Sequence, residues 1–155
     1  MEMKRKAVIA LFATAAASAG LGPIEVNAAE GPSIEGRWRA MDDDLRTTRA
    51  VIELARAGED FVGTVSKVIP QLGEDADPVC ELCEGANHNR RIRGLPILFL
   101  GPQGNDGQYQ GTILDPEEGR TYRCVARLEG LGNRLVLRGY IGIPLLGRTE
   151  TWLRE

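Results

Sequence analysis

The sequence predicts an all-β fold, an eight-stranded antiparallel up-and-down barrel, and three observations point to it. Apolar and polar residues alternate with period two in short runs, each ended by Gly, Pro, Asn or Asp. Most connections between runs are tight, which joins sequential neighbours antiparallel as a meander. Glycines recur inside the runs at Gly36, Gly63, Gly111 and Gly139, where they mark bulges, bends or close backbone approaches in a curving sheet. Closure removes both free edges of such a meander, so a barrel is the expected end point.

The eight runs are approximately Ile34 to Met41, Thr48 to Ala57, Asp60 to Ile69, Leu95 to Leu100, Gln108 to Leu114, Arg120 to Glu129, Arg134 to Gly142, and Arg148 to Arg154. In the second, Ala50, Ile52 and Leu54 oppose Arg49 and Glu53, so the apolar set is expected inside. In the sixth, Tyr122, Cys124, Ala126 and Leu128 oppose Arg123 and Arg127. Leu135 and Leu137 of the seventh point inward and Arg138 outward. The fourth, Leu95 to Leu100, is apolar on both faces, so one face needs cover from a loop or a protein partner. Pro144-Leu145-Leu146 adds apolar character to another loop. One connection, Pro70 to Gly94, is too long to be a mere link, and loops of that length are usually functional or disordered.

Ahead of the first run, Lys4, Arg5 and Lys6 precede an Ala-rich apolar stretch from Ala7 to about Gly22 and then Val26-Asn27-Ala28. These are the parts of a secretion signal in their proper order. The stretch is shorter and less apolar than the ~20 residues a spanning helix needs. Residues 1–28 are therefore expected to be a cleaved signal peptide and 29–155 a single β-barrel domain, periplasmic or extracellular. The first cysteine is Cys80, far from the cleavage point, so no lipid acceptor lies there. The full chain carries a net charge of −3, and loss of the leader makes it slightly more acidic. With no basic block left, nucleic acid and anionic membrane are not expected partners, and no membrane insertion follows cleavage.

Gly36-Arg37-Trp38 opens the first run and Trp152-Leu153-Arg154 closes the last. This pairing resembles the calycin barrels, the lipocalin and streptavidin-like group. The resemblance implies that Trp38 plugs the narrow end, that Gly36 allows the close approach, and that Arg154 lies over the indole. The chain also resembles a small family of secreted bacterial proteins, domain-of-unknown-function family 2147. The matching stretches include Cys80-Glu81-Leu82-Cys83-Glu84-Gly85, Gly94-Leu95-Pro96-Ile97-Leu98, Gly111-Thr112-Ile113-Leu114-Asp115-Pro116, Leu137-Arg138-Gly139-Tyr140-Ile141-Gly142 and Leu146-Gly147-Arg148-Thr149-Glu150-Thr151-Trp152. They run in order over nearly the whole chain after the leader, and Cys124 departs from the pattern. This second resemblance implies a compartment and a barrel, but no reaction.

The three cysteines are an odd set for an exported chain. The leading expectation is a local Cys80–Cys83 disulfide with Cys124 a buried thiol; a bridge from Cys124 to either loop cysteine stands next. A thiol oxidoreductase needs its Cys-x-x-Cys at a helix start, and Glu84-Gly85-Ala86-Asn87-His88-Asn89 is a poor helix opening. A zinc set of Cys80, Cys83, His88 and Cys124 matches no common spacing and competes with disulfide formation. Ser33 and Ser66 are the serines beyond the leader, neither in a nucleophile elbow, and His88 is the single histidine. Carboxylates from Asp42-Asp43-Asp44, Asp115, Glu117 and Glu118 stand near enough in the predicted order to meet, although acidic loop residues usually belong to solvated turns. No catalytic residue, metal or cofactor is expected.

In an up-and-down barrel alternate connections share a rim. Asp42 to Thr47, Pro70 to Gly94, Asp115 to Gly119 and Ile143 to Gly147 therefore gather at one end, and Gly36, Trp38 and Arg154 at the other. The loop end is the expected entrance for a small apolar or amphipathic ligand meeting Tyr122, Leu137 and Asp115. The sequence thus predicts a non-enzymatic envelope protein that binds such a ligand. The alternative is a structural or protein-interaction module with a filled barrel, contacting its partner through Leu95 to Leu100.

Overall fold

The computed structural model describes residues 31–155; the expected signal peptide, 1–28, lies outside them. Eight strands form a closed barrel in sequence order, each antiparallel to the next: β1 (Gly36–Met41), β2 (Thr48–Ala57), β3 (Asp60–Val68), β4 (Pro96–Leu100), β5 (Gln108–Asp115), β6 (Arg120–Glu129), β7 (Arg134–Tyr140) and β8 (Arg148–Arg154). The up-and-down barrel read from the alternation is the fold. Closure rests on a short β1–β8 seam that pairs Trp38 with Arg154, Arg39 with Leu153 and Ala40 with Trp152.

Local chemistry moves several strand ends by a residue or two. Ile34 precedes β1: it is buried, and its carbonyl accepts the Trp38 indole N–H at 2.8 Å instead of joining a ladder. Ile69 leaves β3 but still donates its N–H to the Arg49 carbonyl. Leu95 belongs to the turn before β4, donating to Ile92. Asp115 extends β5 by pairing with Arg120. β7 stops at Tyr140, because Gly142 takes a left-handed φ of 79° in the following turn.

Three bulges bend the sheet at its β1–β4 side, and they correct the facing read from strict alternation. Between β1 and β2, Ala40 pairs with Ala50 and Met41 with Thr48, leaving Arg49 as the extra residue. Arg49 therefore lines the mouth of the barrel interior instead of the outer face. Between β3 and β4, Gly63 pairs with Leu98 and Thr64 with Pro96, leaving Ile97 extra. That irregularity buries Ile97 together with its neighbours Leu95, Leu98 and Leu100, and leaves Phe99, 47 % exposed, as the strand's apolar side chain facing solvent. The expected partner surface over Leu95 to Leu100 thus shrinks to one ring. Between β2 and β3 the extra residue is Ser66, whose hydroxyl donates to the Val51 carbonyl.

The strand glycines sit where space is short. A Cβ on Gly111 would fall 1.8 Å from the Phe99 carbonyl oxygen, and one on Gly63 would fall 2.9 Å from the Leu98 Cβ. The core includes Trp38, Ile52, Leu54, Val65, Leu98, Leu135, Leu137 and Trp152, side chains each worth roughly 1.5–3 kcal/mol when fully buried.

The long connection is ordered. Val79 bridges Arg91, the Cys80 N–H donates to the Arg90 carbonyl while the Cys80 carbonyl accepts from Asn89, and a 3-10 turn at Gly85–Asn87 closes the excursion. It packs on the β5–β6 turn so closely that a Cβ on Gly119 would lie 2.0 Å from the Leu82 carbonyl oxygen.

Candidate functional site

The barrel interior holds a cavity of about 1000 Å³ that opens between the loops following β1, β3, β5 and β7. Its walls follow from strand parity and the bulges. Ala50 and Ile52 come from β2, Val65 and Val68 from β3, Ile97 from β4, Ile113 from β5, Tyr122 from β6, Leu137 and Gly139 from β7, and Glu150 and Trp152 from β8. A Cβ on Gly139 would stand 3.5 Å from Ile113 and 3.7 Å from Tyr122, so this glycine widens the chamber. The long connection contributes Gln71, Glu74, Asp75, Pro78 and Ile92 to one side of the entrance.

At the opposite end Trp38 and Arg154 meet across the β1–β8 seam. The Arg154 guanidinium lies 4.2 Å from the Trp38 ring centroid. Its Nε donates to the Gly132 carbonyl at 2.6 Å, Nη1 to Glu35 at 2.9 Å and Nη2 to Ser33 at 2.6 Å. Gly36 sits at φ 126°, and a Cβ on it would fall 2.9 Å from Arg154 Nη1. One side chain therefore ties three carbonyls from two segments over the buried indole.

Tyr122, Leu137 and Asp115 all border the cavity, at different depths. Leu137 is buried in the wall. Tyr122 is half-buried near the entrance and its hydroxyl donates to Glu118, a bond that raises the phenol's pKa above its usual value. Asp115 Oδ1 accepts the Glu117 and Glu118 amides at 2.9 and 3.1 Å, which shapes the β5–β6 turn.

Other acids of the rim are likewise committed. Asp44 accepts the amides of Arg46 and Thr47, and these bonds hold its carboxyl below the usual range. Asp43 pairs with Arg148 at 3.1 Å, and Arg49 pairs with Glu74 at 3.0 Å and Glu117 at 3.7 Å. The entrance still carries six carboxylates, Asp42, Glu74, Asp75, Asp115, Glu117 and Glu118, against Arg49 and Arg148.

Cys80 and Cys83 are joined by a disulfide with Cα atoms 5.3 Å apart, and Cys124 is a free thiol buried in the β6 wall. Burial, with the nearby Glu150 second, pushes the Cys124 pKa up to about 12. His88 is engaged at both ring nitrogens, with the Cys83 carbonyl at 3.0 Å and the Asn89 amide at 3.0 Å. The loop cysteines, His88 and Cys124 therefore do not converge, and among the described residues no group of three or more His, Cys, Asp or Glu is arranged to hold a metal.

Sequence reasoning missed Glu150 and Trp152. Both share the inward parity of Arg154, so counting back from that residue finds them. Glu150 pairs with Leu137 across the sheet. Its carboxylate accepts the Trp152 indole N–H at 3.3 Å, and burial raises its pKa against the opposing pull of that bond and of Arg148.

Among solved structures, one similar in fold is described as "Protein HP1028 from the human pathogen Helicobacter pylori belongs to the lipocalin family". The match has a TM-score of 0.63 at 19% identity and covers 79% of this chain and 83% of that one. At that identity the likeness establishes a lipocalin-like barrel. No match is found among curated proteins. The model of the family described as "Uncharacterized protein conserved in bacteria (DUF2147)" matches residues 36–154, from the start of β1 to the end of β8, and the chain belongs to that family.

Proposed function

We propose that the protein is an exported, non-enzymatic envelope protein that takes a small apolar or amphipathic molecule into the barrel. The observation that supports this reading best is the cavity of about 1000 Å³, mostly apolar in its walls and open at one rim, a size and character typical of small-molecule sites. A lipocalin-like barrel suits that role. The basic, apolar and small-residue order over Lys4 to Ala28 supports export, and the Cys80–Cys83 disulfide fits an oxidising compartment. Tyr122, Leu137 and Asp115 would meet the ligand. A titration with N-phenyl-1-naphthylamine, a neutral apolar fluorophore, tests the reading: the wild-type protein should bind it saturably, and Gly139→Leu, which fills the chamber, should weaken it. A folded wild-type protein with no saturable binding would overturn it.

A second reading, a protein-interaction module, is favoured by Ile141, Ile143, Leu145 and Leu146, all more than half exposed in the segment between β7 and β8. A photo-crosslinker at position 145 giving a discrete protein adduct in producing cells supports it.

A further inference from the structure

We propose that the ligand is an amphipathic amine, bound with its protonated nitrogen against Glu150 and its apolar part against the facing wall of the barrel. The inference rests on the small-molecule reading above and narrows it to one chemical class.

Glu150 lies in the middle layer of β8. Arg148, two residues before it, is at the rim, and Trp152, two residues after it, is on the floor beside Ala40. Two residues of strand span about 7 Å, so the carboxylate stands well below the entrance. The surfaces around it are Leu137 on the paired strand, the Trp152 indole beneath, and Val65, Ile97 and Ile113 on strands further round the barrel. A carboxylate in such surroundings is costly unless it is paired.

Its partners inside the protein are few. The Trp152 N–H reaches one oxygen, Oε2, at 3.3 Å. Among the described residues Glu150 forms no ion pair: Arg148 is tied to Asp43, and Arg49, the other arginine of the cavity, is tied to Glu74 and Glu117. The charged and titratable groups that act on it are Arg148, Asp115 and Asp43, and the buried Cys124 thiol of β6 is close enough to feel its charge. None of them supplies a free cation.

A ligand ammonium supplies what is missing. It donates two or three hydrogen bonds to a carboxylate whose second oxygen, Oε1, has no hydrogen-bond partner among the described residues. The entrance adds a longer-range bias, with six carboxylates to two arginines attracting cations and repelling anions. An alkyl or aryl body is accommodated by the aliphatic wall opposite.

The test uses three ligands with the same eight-carbon chain, octylamine, octanol and octanoate, titrated near neutral pH with calorimetry and tryptophan fluorescence as readouts. Octylamine should bind about tenfold or more tighter than octanol, the ratio a charge-assisted hydrogen bond supplies, and octanoate should be the weakest. In Glu150→Gln the amine should lose that advantage and fall to the affinity of octanol; far-UV circular dichroism and the thermal transition certify that the variant is folded. Equal or better binding of octanol or octanoate by the wild-type protein overturns the amine assignment while leaving the small-molecule reading intact. So does a preference for the amine that survives in folded Glu150→Gln. Binding of none of the three, together with no binding of the neutral fluorophore, overturns the parent reading.

Discussion

Glu150 and Cys124 are neighbours in the barrel wall, and burial shifts both away from their charged forms. For Glu150 the consequence is a pH dependence of stability with a defined sign. Its folded pKa lies above the ordinary 4.5, so between 4.5 and the raised value the folded state holds more protons than the unfolded chain. Stability therefore falls as pH rises through that window. Urea unfolding of wild-type protein and Glu150→Gln from pH 4.5 upward should show the difference moving steadily in favour of the glutamine variant. A difference independent of pH would mean the carboxyl is as well solvated in the barrel as in the unfolded chain. Cys124, with its pKa pushed up to about 12, is a poor nucleophile behind the wall. Thiol titration should find no reactive group in the folded protein and one after unfolding without reductant; a peptide joining Cys124 to Cys80 or Cys83 would refute the pairing.

At the scale of elements, the β1–β8 seam is short, and Trp38 and Arg154 are directly opposed on it. Trp38→Ala leaves a cavity at the closed end and should lower stability by about 3–5 kcal/mol. Arg154→Ala should cost less, because its stacking contributes ~2 kcal/mol when desolvated and its three carbonyl partners lie close enough to solvent to find water. The double variant should lose less than the sum of the two, since both changes break one contact; additive losses in a chemical-denaturation cycle would argue against coupling. The β4–β5 approach gives a second contrast. A methyl group at Gly111 meets the Phe99 backbone, whereas one at Gly139 has room. Gly111→Ala should cost about 1–3 kcal/mol by overpacking, and Gly139→Ala should leave the thermal midpoint almost unchanged.

For the whole molecule, the expectation is export with cleavage near Ala28, motivated by the order of basic, apolar and small residues ahead of the barrel. Intact mass of protein recovered from the envelope or medium should correspond to a chain beginning at residue 29. A recovered species that still begins at Met1 would remove the signal-peptide assignment. The long connection bears on the barrel as a whole as well. It was expected to be functional or disordered, and it forms one side of the entrance, held by the Val79–Arg91 bridge, the Cys80–Cys83 disulfide and the Arg49–Glu74 ion pair. The shape of the mouth therefore depends on a segment outside the sheet.

Period-two patterning and turn chemistry carried the number, order and antiparallel sense of the strands, because each is encoded locally, within ten residues or so of chain. The Gly36, Trp38 and Arg154 end was legible for a related reason: once a meander closes, its first and last strands must be neighbours. Bulges were not legible. An extra residue at Arg49 or Ile97 changes facing by one position, and nothing in the alternation distinguishes it from an ordinary strand end. Nor was the status of Glu150 legible, although its inward parity was. A carboxylate in a strand reads as fully solvated until the packing of Leu137, Trp152 and the facing wall is seen to half-bury it, and until Arg148 is seen to be paired elsewhere. The sequence by itself determined the topology; the tertiary structure alone decided that the barrel is hollow and that a carboxylate stands inside it, because free volume and desolvation belong to the packing of side chains that are distant along the chain.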